Sequence, residues 1–222
     1  MFGPGSKIGT LLRWAPLAFL IGGGALWALS PLGVRLSEAK FKTPDVFWKL
    51  FVSAPLTLGL GLVGLSLLGG ERRGLAAKIG LWAALAGAAL VVAGDAGLFH
   101  LGVDDYYIMA APAYRAFRAG LVLLTAGALL FGAAETRNRG LPVWAGLPFA
   151  LSALSGLAAA VQDLGPFGAA LWAVFGAGWI WLGFAFLVDS FQGTGRGEAI
   201  SGRRSGHGLT MPKGTSTVTD GR

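Results

Sequence analysis

Six long runs of apolar residues, each about the length of a membrane crossing and rich in Gly, Ala and Leu, alternate with short segments that hold most of the charge. The runs lie at about 11–29, 44–68, 75–101, 111–134, 141–161 and 167–191. A hydrocarbon core of about 30 Å takes about 20 apolar residues of helix. The pattern therefore predicts an all-α, polytopic integral membrane protein, a six-transmembrane-helix bundle with short loops over residues 1–191, followed by a disordered basic cytoplasmic tail over 192–222. The loops are short enough to force consecutive helices antiparallel. Thr43-Pro44 places an N-cap before a first-turn proline, and Pro142 and Pro166 suit the same position in spans 5 and 6.

Charge then orients the spans. On one side fall Lys7, Arg13, Arg72, Arg73, Lys78, Arg137, Arg139 and the tail cations Arg196, Arg203, Arg204, Lys213 and Arg222, which is 12 of the 18 Lys and Arg residues. The other side holds Arg35, Lys40, Lys42, Lys49, Arg115 and Arg118 against Glu38, Asp45, Asp95, Asp104, Asp105 and Asp163, a net charge of zero. The positive-inside rule makes the basic side cytoplasmic and both termini cytoplasmic, in what reads as a bacterial cytoplasmic membrane. Span 1 could alternatively serve as a signal peptide ending at Ala28-Leu29-Ser30, but Pro31 disfavours cleavage there and the reading is an uncleaved anchor.

Composition agrees with lipid as the solvent. Hydrophobic residues are 54% and charged residues 13%, too few to cover a water-soluble surface. The formal charge of +7 is spread over topological positions rather than gathered with aromatics into a patch, so nucleic acid is not an expected partner. The absence of Cys excludes thiolate, disulfide and iron–sulfur chemistry. The expected partners are the lipid bilayer and either a membrane-protein partner or a second copy of the chain.

Packing is expected through small residues, since lipid tails are as apolar as Leu and give helices no hydrophobic reason to associate. The spacing points to Ala83 and Gly87 on span 3, Ser152, Gly156 and Ala160 on span 5, and Ala169, Ala173 and Ala177 on span 6. Pro16, Pro55 and Pro148 are expected to kink their helices. Trp14, Trp27, Trp48, Trp82 and Trp144 suit the interfaces, and Trp172, Trp179 and Trp181 suit packing or lipid-facing positions. Arg73-Gly74-Leu75 with Gly80-Leu81 recurs 66 residues later as Arg139-Gly140-Leu141 with Gly146-Leu147, a weak sign of a duplicated hairpin.

The chemistry left after orientation gathers on the non-cytoplasmic side of spans 3 and 4. Asp95, His100, Asp104, Asp105, Arg115, Arg118 and Asp163 form the candidate polar cluster, with Tyr106, Tyr107 and Tyr114 among them. A turn centred near Tyr106 brings Asp95 level with Arg118, so an Asp95–Arg118 ion pair is expected. His100 and Asp104 stand four apart, as a helical metal site would require, but one His with flexible carboxylates falls far short of a zinc signature, and neither a metal nor a cofactor is predicted. Haem ligation by two histidines, multi-histidine hydrolysis, a retinal Schiff base and intramembrane serine proteolysis each lack a required residue. The leading functional reading is an accessory or structural, non-enzymatic membrane protein. A small transporter or channel component using the non-cytoplasmic cluster is the alternative, and an enzyme acting on lipid or an isoprenoid is the third.

Overall fold

A computed structural model describes residues 14–30, 51–69, 74–101, 111–138, 142–161 and 165–204, and all of its regular elements are helical. In chain order they are α1 (Trp14–Ser30), α2 (Ser53–Gly69), α3 (Leu75–Asp95), α4 (Pro112–Arg137), α5 (Val143–Val161) and α6 (Gly165–Arg204). One π-helical turn, Ala96–His100, continues α3. The segments Leu75–His100, Pro112–Arg137, Val143–Val161 and Phe167–Val188 are each long and apolar enough to cross a membrane, and correspond to expected spans 3 to 6. The apolar helices Trp14–Ser30 and Ser53–Leu67 coincide with expected spans 1 and 2 but are shorter as described. The possible cleavage point Ala28-Leu29-Ser30 lies within α1, while Pro31 and Thr43-Pro44 lie outside the described residues.

Helix starts follow the local chemistry. Pro112 begins α4, where its missing N–H is one the helix does not use, with Ala111 extended before it. Pro142 stands one position earlier relative to its helix than expected: its carbonyl accepts from the N–H groups of Ala145 and Gly146, so it acts as a flanking residue of α5. At the far end the chain divides, Met1–Leu187 forming one compact unit and Val188–Arg222 another. Helix α6 does not stop at Phe191, where the tail was expected to begin, but runs to Arg204. Adding a residue to an existing helix end fixes one residue for one hydrogen bond, so a Gly-rich sequence can follow where it would not nucleate.

Glycine sets how the helices meet. On α3, Gly80, Gly87 and Gly94 recur every seven residues and lie against the backbone of α4; Gly120 and Gly127 on α4 lie reciprocally against α3. A Cβ on Gly80 would come within 2.5 Å of the Phe131 nitrogen, and one on Gly120 within 2.6 Å of the Val91 nitrogen. A seven-residue repeat on both helices keeps the seam in register at a shallow left-handed crossing. Ala77, Ala84 and Val91, buried between these glycines, complete the surface. Of the expected pair on span 3, Gly87 is in the seam and Ala83 is beside it, half-buried.

The same device recurs round the bundle. Gly24 of α1 and Gly176 of α6 lie against each other's carbonyls, and Gly183 meets Leu17 and Ile21. Gly61 and Gly64 of α2 take in Leu20 and Pro16 of α1, Gly59 of α2 meets Ala88 of α3, Gly132 of α4 meets Phe149 of α5, and Gly178 of α6 meets Ser152 of α5. Every one of these pairings is antiparallel. On span 5 the expected Ser152, Gly156 and Ala160 are all buried. On span 6 the expected Ala169, Ala173 and Ala177 are not the seam; Ala177 is exposed, and the buried face carries Phe175, Gly176, Gly178, Trp179, Leu182 and Gly183 instead.

Large side chains fill the centre. Trp27 was expected at an interface but is 1% exposed, its ring packed against Phe51, Trp172 and Phe175. Phe51 in turn meets Phe117, so one aromatic cluster joins α1, α4 and α6 to the residues that lead into α2. Trp179 packs edge-on against Phe149 with ring centres 4.8 Å apart. Trp82, Trp144 and Trp181 face outward. Across the repeat at 66 residues Gly80 and Gly146 are both buried, whereas Leu81 is buried and Leu147 exposed.

Replacing Gly87 by Leu drives a side chain into the Leu124 backbone and should destabilise the bundle by about 3 kcal/mol or more. Ala89, exposed on the same helix, should accept Leu almost without cost. Unfolding in detergent followed by Trp fluorescence compares the two; equal stability would contradict backbone-to-backbone packing of α3 on α4.

Candidate functional site

Asp95 closes α3 and is fully buried. Its place follows from the seven-residue repeat: Leu81, Ala88 and Asp95 form one row beside the glycine seam, and Ala88 faces Gly59 of α2. Neither carboxylate oxygen has a hydrogen-bond partner. Among the described residues His100 pairs with it, its Nδ1 3.6 Å from Oδ2; the His100 side chain is 37% exposed while that of Asp95 is 0% exposed. The pair thus joins an enclosed carboxylate to an imidazole open to the surroundings.

The π-helical turn makes that pairing. Five residues apart on an α-helix, two side chains leave on different sides; hydrogen bonding from residue i to i+5 stacks them one above the other. Leu101 N–H donates to the Ala96 carbonyl at 2.9 Å, the bond that defines this turn. Gly97, within the turn, fits against the Ala113 side chain, where a Cβ would come within 2.8 Å. Single π-helical turns recur at functional sites because they re-aim side chains that an α-helix would separate. The sequence signal for it, Asp and His five apart around a glycine at a helix end, is visible only after the turn is known.

The expected Asp95–Arg118 ion pair is not formed. The level was right, since Gly94 lies against the Phe117 backbone, but the face was not. Phe117 takes the buried position, and Arg118, about 100° further round the helix, turns away from it. Arg118 lines a shallow groove of about 640 Å³ with Leu90, Ala119, Val122, Leu123, Ala126, Ala160 and Val161. Arg115 is exposed and Tyr114 half-buried. Asp104, Asp105, Asp163, Tyr106 and Tyr107 lie outside the described residues, so the His100–Asp104 spacing has no geometry to report. Among the described residues, no three His, Asp or Glu side chains come together as a metal site would need.

Elsewhere in the bundle the polar side chains spend their donors locally. Thr125, buried on α4, donates to the Leu121 carbonyl at 2.8 Å, and Ser152, buried on α5, donates to the Phe149 carbonyl at 2.7 Å. Thr57 and Ser66 of α2 likewise bond to carbonyls of their own helix. Ser155 donates to the Ser152 carbonyl and also lies 3.2 Å from the Leu171 carbonyl, a polar contact between α5 and α6. The buried Trp179 indole N–H has no acceptor. Among the described residues Asp95 is thus an acidic group buried without a hydrogen-bond partner, an arrangement that costs several kcal/mol in an apolar interior.

Stability measured on single and double variants separates these contacts. Asp95→Asn and Arg118→Gln should add within about 0.5 kcal/mol, as residues that do not touch do. Asp95→Asn and His100→Gln should couple by about 0.5 kcal/mol or more. Rescue of either single Asp95 or Arg118 variant in their double would restore the ion pair and contradict this geometry. In comparison with known proteins, the chain matches no family model, no curated protein and no solved structure.

Proposed function

We propose that the chain is a non-enzymatic multipass protein of a bacterial cytoplasmic membrane, with both termini cytoplasmic, serving an accessory or structural role through its outer helix faces. The observation that carries this reading is the filled interior. Trp27, Trp179, Phe131, Phe149 and Phe175 occupy the centre, each at most 1% exposed, and the hydroxyls of Thr57, Ser66, Thr125, Ser152 and Ser155 bond within the protein. A transport pathway needs polar groups that continue from one side to the other and remain free to bind a solute. The large side chains turned outward, among them Leu56, Leu60 and Val63 on α2 and Leu147, Leu151 and Leu154 on α5, suit lipid or a partner helix.

A second reading, a small transporter or channel component, is favoured by one observation, the unbonded Asp95 carboxylate beside His100. Functional groups within membrane helices are commonly of this kind. The two readings differ in what crosses the bilayer. Purified protein reconstituted in liposomes with a pH-sensitive dye inside should collapse an imposed proton or cation gradient no faster than empty liposomes. A flux that Asp95→Asn abolishes would replace the accessory reading with the second.

Orientation is tested separately, and the lack of native Cys simplifies the test. In intact cells a membrane-impermeant maleimide should label Gly102→Cys, between spans 3 and 4, and leave Asn138→Cys unlabelled until the membrane is opened. The reverse pattern would invert the assigned topology.

A further inference from the structure

We propose that the outward groove over α4 is a phospholipid site in which Arg118 binds the headgroup phosphate and an acyl chain lies along the trough beneath it. The inference rests on the reading that α4 crosses a membrane, which the maleimide labelling tests independently.

The groove combines one cation with an apolar floor. Ala119 and Ala126, seven residues apart, keep the outer surface of α4 low, while Leu90 of α3 and Ala160 and Val161 of α5 form the walls. From Arg118 to Ala126 the trough runs about 12 Å along the helix, the direction an acyl chain takes in a bilayer. Helix α4 has 26 residues. At about 39 Å it exceeds the hydrocarbon thickness by about 9 Å, which leaves each end projecting a few ångströms. Arg118 lies about 9 Å along the helix from Pro112, just inside the hydrocarbon edge, and a guanidinium extended from there reaches the plane of the headgroups.

Charge decides the occupant. A guanidinium presents paired donors that match the two free oxygens of a phosphodiester, the anionic group that every phospholipid carries at this depth. A headgroup without an ammonium is preferred, because a second cation would sit beside the first. Another copy of this chain is a poor fit: a two-fold axis normal to the membrane would bring two Arg118 side chains to the same depth in one groove, a like-charge contact in a medium that screens weakly. Asp95, the carboxylate expected to neutralise Arg118, belongs to His100 instead.

Native mass spectrometry of the delipidated full chain in detergent tests the site. Phosphatidylglycerol is the probe, with diacylglycerol of the same chains and glycerol phosphate as the two halves of its chemistry. The wild-type chain should retain phosphatidylglycerol and hold either half far more weakly. Arg118→Gln, which removes the cation, and Ala126→Phe, which fills the trough, should each lower retention about tenfold, the loss expected when a charge-assisted contact is removed. Arg118→Lys, which keeps the charge without the paired donors, should fall between, and Arg137→Gln, exposed at the opposite end of the same helix, should bind as wild type. Melting followed by Trp emission checks that each variant folds, and the Lys variant keeps the test open if Gln does not. Retention unchanged in both Arg118 variants would overturn the proposal. Glycerol phosphate binding as tightly as the lipid would reduce the site to a phosphate contact, and a dimer lost in Ala126→Phe would give the groove to a second copy; either result overturns it.

Discussion

Direct contact between the backbones of α3 and α4 is the constraint on which the rest of this bundle depends. In a bilayer the hydrophobic effect does not draw helices together, so association rests on dispersion and on weak contacts that require close approach. Gly80, Gly87 and Gly94 permit that approach from one side, Gly120 and Gly127 from the other. Five missing side chains fix the register of the hairpin along its length, because a shift of one residue would set a Cβ against a carbonyl or an amide. The α1–α6 contact at Gly24 and Gly176 repeats the principle, tying the first described helix to the last.

This seam also decides which polar groups are enclosed. Once Gly94 lies on Phe117, the next residue on each helix is committed: Asp95 turns inward toward α2, and Arg118 turns outward to the groove. Two side chains at one level are thereby sent to different faces. The π-helical turn then supplies Asp95 with the neighbour that α4 withholds, bringing His100 over it. Local backbone geometry, rather than the opposing helix, determines the chemistry at this end of α3.

The aromatic cluster around Trp27 closes the bundle near that same end. Trp27 is held by rings from α6 and by Phe51, which leads into α2, and Phe51 reaches Phe117 beside the Gly94 contact. Glycine-lined helix pairs and bulky rings are complementary parts of one packing solution: where backbones touch, side chains are displaced into the remaining central space, and that space is filled by Trp and Phe. Small residues at the seams and large ones at the centre together leave the interior dense.

The amino-acid sequence by itself determined that the described elements are helical and where the apolar runs lie, because both follow from local composition and length. It also singled out Asp95 and His100, which the structure brings together. It did not determine which face of each helix is inward. Spans built from Gly, Ala and Leu are apolar all round, so a periodicity of polar residues is missing and burial depends on the neighbour rather than on the residue. Ala83 and Gly87 look equivalent along the chain, as do Phe117 and Arg118 in level. Only the tertiary structure, by bringing α3 and α4 into backbone contact, chose Gly87 over Ala83 for the seam, gave Asp95 to His100 and left Arg118 on the outward groove.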